Sequence, residues 1–233
     1  MLHREQLSPH LIRLVVGSDD LPVSASTGLP DEWVGLVVPG QFQTRFYTVR
    51  RWVEGEVTLD VVVHDAGLVT EWASGDCIGD AVVLTDPRGS FAPPDGSRWL
   101  RLVTDLTGLP ATARICEWAG TRPSPIPVEV WAELPEDVPG YLPTAPGTGV
   151  DVTWLSPPAQ DESQLAQVVE EMPWPDEPGY FWMAGESAQM RAIRKHLSRE
   201  LRLPSPSYNV TGYWRRVGRR QPRAVDPTPI GEP

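Results

Sequence analysis

The chain has 233 residues, 40% of them hydrophobic and 22% charged, and its formal net charge at pH 7 is −11. This composition is typical of a globular protein with a sizeable core, and the acidic balance disfavours nucleic-acid binding, which depends on clustered cations. No apolar run approaches the ~18 residues of a membrane span, and no secretory signal is visible. Cys77 and Cys116 are the two cysteines, with no Cys/His cluster. We therefore expect reduced thiols, a cytoplasmic protein and no metal site.

The first 95 residues contain short apolar or alternating runs of the kind that form β-strands. Gly, Pro and Asp turns separate these runs, which occupy residues 11–16, 34–38, 46–52, 57–63 and 81–84. Short strands at this spacing predict an antiparallel barrel or sandwich.

The rest of the chain alternates between strand and helix patterns. Strands are predicted at 99–104, 126–132, 150–155, 180–184 and 208–211, and helices at 110–118, 162–172 and 187–201. Such alternation predicts a parallel sheet with crossover helices. We place the domain boundary near residue 95, the α/β domain at 96–218, and a disordered, proline-rich tail at 219–233.

One predicted strand carries the run Arg45-Phe46-Tyr47-Thr48-Val49-Arg50. Because side chains alternate along a strand, Arg45 and Tyr47 are expected on one face, with Thr48 next to them. A cation, an aromatic ring and a hydroxyl in this arrangement fit a flavin nucleotide. The alternative is an ordinary barrel strand with an exposed arginine and a half-buried tyrosine.

Six segments, taken in chain order, carry a more specific resemblance. They lie at residues 7–13, 64–73, 86–91, 105–111, 184–197 and 212–215. In this order they resemble six segments of the siderophore-interacting proteins. These are the opening strand, the motifs H-G-x-x-G-P-A-S-x-W-A, G-P-R-G-S-F and D-E-T-A-L-P-A, the helix A-G-E…R-A-I-R-R-H-L, and the C-terminal G-Y-W-R. This family consists of flavin-dependent ferric-siderophore reductases in the ferredoxin-reductase superfamily. The resemblance implies a flavin-binding β-barrel over 1–95 and a nicotinamide-nucleotide-binding α/β domain over 96–218.

The chain departs from the family's motifs at two places. The glycine after His64 is missing, and Leu68-Val69-Thr70 replaces the family's P-A-S. Leu106 stands where the family has a glutamate. The first change alters a loop that would present backbone N–H groups to phosphate, so it puts the retention of FAD in question.

The resemblance also implies roles for individual residues. Arg45 would contact the edge of the flavin ring or the pyrophosphate, Tyr47 would stack on the ring, and Thr48 would hydrogen-bond near its reactive nitrogen. His64 would lie beside the flavin, and Trp214 would cover one of its faces. The implied phosphate contacts are Ala66, Gly67 and Thr70, and the implied nucleotide contacts at the sheet are Asp105, Thr107, Gly185 and Glu186. A basic pocket for an anionic ferric siderophore would need arginines, since Lys195 is the sole lysine. The candidates are Arg50, Arg51, Arg215 and Arg216.

Three functions remain open from the sequence. The first is a reductase that passes electrons from NAD(P)H through FAD to Fe(III) in a siderophore. The second is a flavin reductase with another acceptor, such as a quinone or a partner protein. The third is a module that binds flavin or siderophore without turnover, which the altered loop after His64 favours.

Overall fold

The structure is a computed structural model that describes residues 1–63, 67–135, 138, 140–144, 146–157 and 163–215. Four sets of predictions lie outside these residues: the roles of His64, Ala66 and Arg216, and the disorder of 219–233.

The N-terminal part forms a six-stranded antiparallel sheet, as the strand spacing predicts. Its strands are β1 (His3–Ser8), β2 (Leu11–Gly17), β3 (Trp33–Val37), β4 (Arg45–Val53), β5 (Glu56–Val62) and β6 (Val83–Leu84). They follow the order β1-β2-β5-β4-β3-β6. The sheet curls, because Met1 bonds through its backbone to Gly79 and Asp80, just before the opposite edge strand.

The expectation of a single opening strand at residues 7–13 is wrong. A tight turn at Pro9 and His10 splits this segment between β1 and β2, which pair as an antiparallel hairpin. Proline has no N–H group to donate to a strand ladder, so the chain turns there.

The barrel interior is filled by the apolar positions of the alternating strands. Leu14, Val34, Val49, Leu59 and Val61 are fully buried there. The short helix α1 (Leu68–Ser74) follows β5 and contributes Val69 and Ala73 to the same core. Its burial fixes where the segment after β5 returns to the barrel.

The C-terminal part is a five-stranded parallel sheet, as the alternation predicts. Its strands are β7 (Leu100–Asp105), β8 (Val128–Glu133), β9 (Val150–Leu155), β10 (Tyr180–Glu186) and β11 (Tyr208–Trp214). Its helices are α2 (Leu109–Gly120), α3 (Leu165–Glu171) and α4 (Ser187–Lys195), and a π-helical turn, His196–Glu200, extends the last of them. Among the described helices none is both long and apolar enough to cross a membrane.

The strand order of the parallel sheet is β11-β10-β7-β8-β9. The order reverses between β7 and β10, so the carboxyl ends of these two strands form a topological switch point. Ligands of open α/β sheets bind in the crevice at such a point. The predicted residues Asp105 and Gly185 lie at the ends of these two strands.

One apolar core joins the two sheets. It lies on the α2 side of the parallel sheet and includes Leu11 of the barrel and Phe91 of the connection. Phe91 packs edge-on against Trp118 and Tyr180, with ring centroids 5.0 and 5.3 Å away. The two sheets are therefore held together by shared packing.

A buried carboxylate fixes the segment that carries Phe91. Asp31 is 1% exposed, and its oxygens accept hydrogen bonds from the backbone N–H of Ser90 (2.8 Å) and Phe91 (2.9 Å) and from the Ser90 hydroxyl (2.7 Å). Removing the carboxylate would leave the buried Phe91 N–H without this acceptor and would release the exposed Ser90, and an unpaired buried donor is costly.

We expect Asp31→Ala to lower the free energy of unfolding by about 3 kcal/mol, because hydrogen bonds to a buried charged acceptor are lost together. Urea unfolding followed by tryptophan fluorescence measures this. The matched control is Asp19→Ala, since Asp19 is exposed. A loss for Asp31→Ala no larger than that of the control would contradict the prediction.

Candidate functional site

A cavity of about 660 Å³ lies where the barrel meets the parallel sheet. Its walls come from β4, β5, the start of α1, the turn between β7 and α2, and the end of β11. Its lining residues are Thr44, Arg45, Phe46, Tyr47, Thr48, Asp60, Val62, Gly67, Leu68, Val69, Thr70, Thr107, Pro110, Tyr213, Trp214 and Arg215. The cavity thus lies beside the ligand edge of the parallel sheet and contacts both sheets.

The β4 segment supplies the cation, the aromatic ring and the hydroxyl that its sequence predicts. Arg45 is exposed, and its guanidinium donates to Gln43 Oε1 (2.7 Å) and to the Thr44 carbonyl (3.3 Å). Tyr47 is partly buried, and this burial raises its pKa to about 12, although Arg45 acts in the opposite direction. The Tyr47 hydroxyl therefore stays protonated at neutral pH and can donate a hydrogen bond.

Thr48 offers an unused polar atom to the cavity. Its side chain is 5% exposed, and its Oγ1 atom is buried without a hydrogen-bond partner of good geometry. The Tyr213 hydroxyl lies nearby but makes no bond of good geometry with it. Burial raises the pKa of Tyr213 well above its ordinary value, and Thr48 acts in the opposite direction. Buried hydroxyls are normally paired, so the role of Thr48 toward a flavin stays a prediction that this unpaired atom is compatible with.

The floor of the cavity contains a carboxylate that the sequence analysis did not identify. Asp60 is 3% exposed and forms a bidentate ion pair with Arg13, with both N–O distances 2.8 Å. It also accepts a hydrogen bond from the hydroxyl of Tyr141, which follows β8. A buried charge paired in this way contributes to cohesion and is not a free acid for catalysis.

The structure brings together most of the predicted flavin contacts. Gly67 and Thr70, at the start of α1, line the cavity with the β4 residues. The Thr70 hydroxyl donates weakly to the Val62 carbonyl at 3.3 Å. From the C-terminal part, Thr107, Trp214 and Arg215 line the same cavity. Their roles in binding stay predictions.

Three predicted nucleotide contacts do not line the cavity. Asp105 bonds to Thr107 and Trp214. Gly185 lies against Asp105, since a Cβ atom added at Gly185 would come within 2.9 Å of the carboxylate. Glu186 caps α4 by accepting from the backbone N–H of Ala188 at 2.8 Å and Gln189 at 3.2 Å. All three already make contacts within the chain.

Arg50 and Arg51, two predicted substrate arginines in the second half of β4, lie away from the cavity lining. The Arg50 guanidinium forms an ion pair with Glu117 of α2, with N–O distances of 2.5 and 3.1 Å, and stacks on the Tyr141 ring at 5.7 Å. Arg51 is exposed. Arg50 therefore bridges the two sheets, and any role of Arg50 and Arg51 toward substrate stays a prediction.

Sequence reasoning missed other lining residues, and the chain carried signals for two of them. Asp60 interrupts the apolar run Val57–Val63, and an acid within a buried strand needs a partner. Tyr213 lies inside the G-Y-W-R segment next to the predicted Trp214. Phe46, 66% exposed, and Pro110 also lie inside segments that the sequence analysis quoted, but their residue types gave no reason to assign them to a site.

Curated proteins and solved structures share similarity with most of the chain. The mycobactin import ATP-binding/permease protein IrtA of Mycobacterium tuberculosis is 27% identical over 220 residues, which are 89% of this chain and 25% of that protein. The chain thus spans about a quarter of that relative. The NADPH-dependent ferric-chelate reductase of Escherichia coli is 25% identical over 160 residues, covering 68% of this chain and 61% of the reductase.

The fold is also that of a solved structure. The siderophore-interacting protein of Acinetobacter baumannii superimposes with a TM-score of 0.79 at 20% identity, over 92% of this chain and 88% of that one. At this level of identity the likeness establishes the fold: an antiparallel barrel followed by a parallel α/β sheet, as predicted.

Family models match both parts of the chain. Residues 40–91, which include β4 and α1, match the siderophore-interacting FAD-binding domain, so FAD is the cofactor of this part. Residues 97–217 match the siderophore-interacting protein model. Together with the cavity between the two matched parts, these findings show that the chain belongs to the siderophore-interacting protein family.

Proposed function

We propose that the protein is a flavin-dependent reductase of ferric siderophores, taking electrons from NAD(P)H and delivering them to Fe(III). The observation that carries this proposal is the cavity of about 660 Å³ that β4 shares with the ligand edge of the parallel sheet. In it, Arg45, Tyr47 and Thr48 meet Thr107 and Trp214. Such a cavity lets one planar cofactor contact both a barrel and a nucleotide-binding sheet.

The described residues fit FAD. The unpaired Thr48 Oγ1 offers a hydrogen bond to a ring edge, and Tyr47 offers a flat face for stacking. Arg45 supplies a positive charge for the pyrophosphate or the electron-rich ring. Gly67 and Thr70 lie beside them, where the phosphates would run. FAD, when bound, would accept two electrons from a hydride donor and pass them on one at a time.

Each of the two sheets would bind one of the two nucleotides. Residues 1–95 would hold the flavin, and residues 96–218 would hold the nicotinamide nucleotide at the switch point beside Thr107. The E. coli relative is named for NADPH, which supports a nicotinamide donor. Asp105, Gly185 and Glu186 are committed to internal contacts, so the donor would meet Thr107 and Trp214 first.

Reduction serves iron release for a chemical reason. The oxygen donors of siderophores are hard ligands that hold Fe(III) more tightly than Fe(II). One electron per iron therefore loosens the complex, and the protein needs no iron ligands of its own. Both described cysteines are free and buried, which fits the reducing cytoplasm where we place this reaction.

Anionic ferric siderophores would meet positive charge at the cavity. Arg45 and Arg215 are exposed, and both line it. Since Asp60 is neutralised by Arg13, the lining is more positive than the net charge of the protein indicates. A second function, reduction of a neutral acceptor such as a quinone, is favoured by the aromatic lining of Phe46, Tyr47, Tyr213 and Trp214.

The proposal is tested with protein reconstituted with FAD. Its visible spectrum should show flavin bands, which NADH or NADPH should bleach in the absence of oxygen. Addition of a ferric siderophore should restore the bands and deliver Fe(II) to a ferrous trap. Bands without bleaching would favour a binding module, and bleaching without Fe(II) formation would favour another acceptor.

We expect Arg45→Ala to weaken FAD binding about 10- to 100-fold, because a charge-assisted contact is lost. The measurement is a titration of flavin-free protein with FAD, followed by flavin fluorescence. The matched control is Arg98→Ala, since Arg98 is also exposed but does not line the cavity. Equal affinity of Arg45→Ala and the control would remove Arg45 from the site.

We expect Arg215→Glu to raise the KM for an anionic ferric siderophore roughly three- to tenfold and to leave turnover of a neutral quinone nearly unchanged. Salt should weaken the wild-type reaction with the anionic acceptor, because ions screen exposed charges. Steady-state assays at low and high salt measure both effects. Arg199→Glu, at an exposed arginine away from this cavity, is the control. The same response with both acceptors would contradict an anionic substrate.

A further inference from the structure

Asp105, which the family resemblance assigns to nucleotide binding, makes contacts within the chain that this assignment does not explain. It ends β7 at the switch point, but it does not line the cavity. The residue as a whole keeps some exposed surface, but its carboxylate is enclosed. Burial raises the pKa of this carboxylate, while the hydrogen bonds from Thr107 and Trp214 act to lower it. A carboxylate kept in such surroundings needs its hydrogen-bond donors.

The two oxygens of Asp105 serve two different elements. Oδ1 accepts from the backbone N–H (2.8 Å) and the hydroxyl (2.5 Å) of Thr107 in the turn that leads to α2. Oδ2 accepts from the indole Nε1–H of Trp214, at the end of β11, at 2.7 Å. Asp105 therefore joins two residues that both line the cavity.

Trp214 is held at its backbone as well as at its ring. The Ser187 hydroxyl donates to the Trp214 carbonyl at 2.7 Å, and Trp214 pairs with Glu186 at the end of β10. The backbone contacts fix where the side chain starts, and the bond to Asp105 fixes which way the indole points. Together they define one wall of the cavity.

Gly185 makes room for this arrangement. A Cβ atom at Gly185 would lie 2.9 Å from Asp105 Oδ2 and 3.3 Å from its Cγ. The missing side chain thus admits the carboxylate to the edge between β7 and β10. This contact explains a glycine at position 185 without a nucleotide.

We propose that Asp105 is a positioning residue, whose carboxylate orients the Trp214 indole as a fixed wall for the planar ring bound in the cavity. The inference rests on the proposed function, since that ring is taken to be the flavin. A ring held in place before binding loses less conformational entropy when a ligand packs against it. A charged acceptor holds an indole N–H more firmly than a neutral one.

Asp105→Asn tests the link with little change in volume. Thr107 and Trp214 donate to different oxygens of the carboxylate, and an amide keeps an acceptor at only one of these two positions, so it cannot satisfy both donors in the present arrangement. Trp214→Phe removes the N–H and keeps an aromatic ring. We expect each variant to bind FAD about tenfold more weakly, the scale of one lost hydrogen bond to a charged acceptor. In the Trp214→Phe protein, the further change Asp105→Asn should weaken FAD binding by less than about twofold, because the contact between the two residues is already gone.

Two readouts separate positioning from general stability. The visible circular dichroism of bound FAD should change in Asp105→Asn and Trp214→Phe alike, since it reports the surroundings of the ring. In flavin-free protein, the indole N–H resonance that Trp214→Phe removes should move in Asp105→Asn. The matched control is Asp151→Asn, at an exposed aspartate of β9, which should leave FAD affinity, dichroism and the resonance unchanged.

The outcomes are distinct. Wild-type affinity in Asp105→Asn, or equal losses from this change with and without Trp214, would overturn the positioning role while the proposed function stands. Wild-type protein that binds no FAD, together with a shifted indole resonance, would overturn the proposed function and leave the Asp105–Trp214 link. If Asp105→Asn does not fold, unchanged FAD affinity and dichroism in Trp214→Phe would overturn the inference.

Discussion

The arrangement of the two parts of the chain around the cavity depends on the buried carboxylate of Asp60, which residues from both parts satisfy. Arg13 neutralises it from the neighbouring barrel strand, and Tyr141 donates to it from the segment after β8. A buried charge that loses a partner is strongly destabilising, so the two parts of the chain are held in one arrangement. Burial, with Asp60 acting in the same direction, keeps the pKa of Tyr141 well above its ordinary value, so the donor stays protonated.

The arginines near the boundary between the barrel and the parallel sheet have different contacts. Arg50 pairs with Glu117, and Arg114 donates to the Val49 carbonyl at 2.7 Å, so these two arginines reinforce the same boundary. Arg45, at the start of β4, lies beyond these ion pairs, in the cavity. A single strand thus carries an arginine that lines the cavity at its start and an arginine that is ion-paired with α2 farther along. Sequence alone gives both residues the same chemistry, and only the position of α2 distinguishes them.

The sequence predicted the features that depend on local pattern. Alternation gave the barrel strands and the shared face of Arg45 and Tyr47, and the change of period near residue 95 gave the parallel sheet. The hairpin at Pro9 was missed because residues 7–13 were matched to one strand of the family, although Pro9 itself marks a turn. The partnership of Asp60 with Tyr141 joins residues 81 positions apart, and local patterns do not encode pairs at that distance.

The most useful guide to the ligand is the contrast between satisfied and unsatisfied groups at the sheet edge. Gly185 and Glu186, which the family resemblance assigns to nucleotide binding, are occupied by Asp105 and by the cap of α4. Thr48 Oγ1 is buried without a partner, and exposed guanidinium groups lie nearby in the same cavity. Groups of this kind are stabilised by a ligand that brings a hydrogen-bonding edge and negative charge. The cavity therefore offers a buried hydroxyl and two exposed arginines, whereas Asp105, Gly185 and Glu186 at the adjoining strand ends are engaged in contacts within the chain.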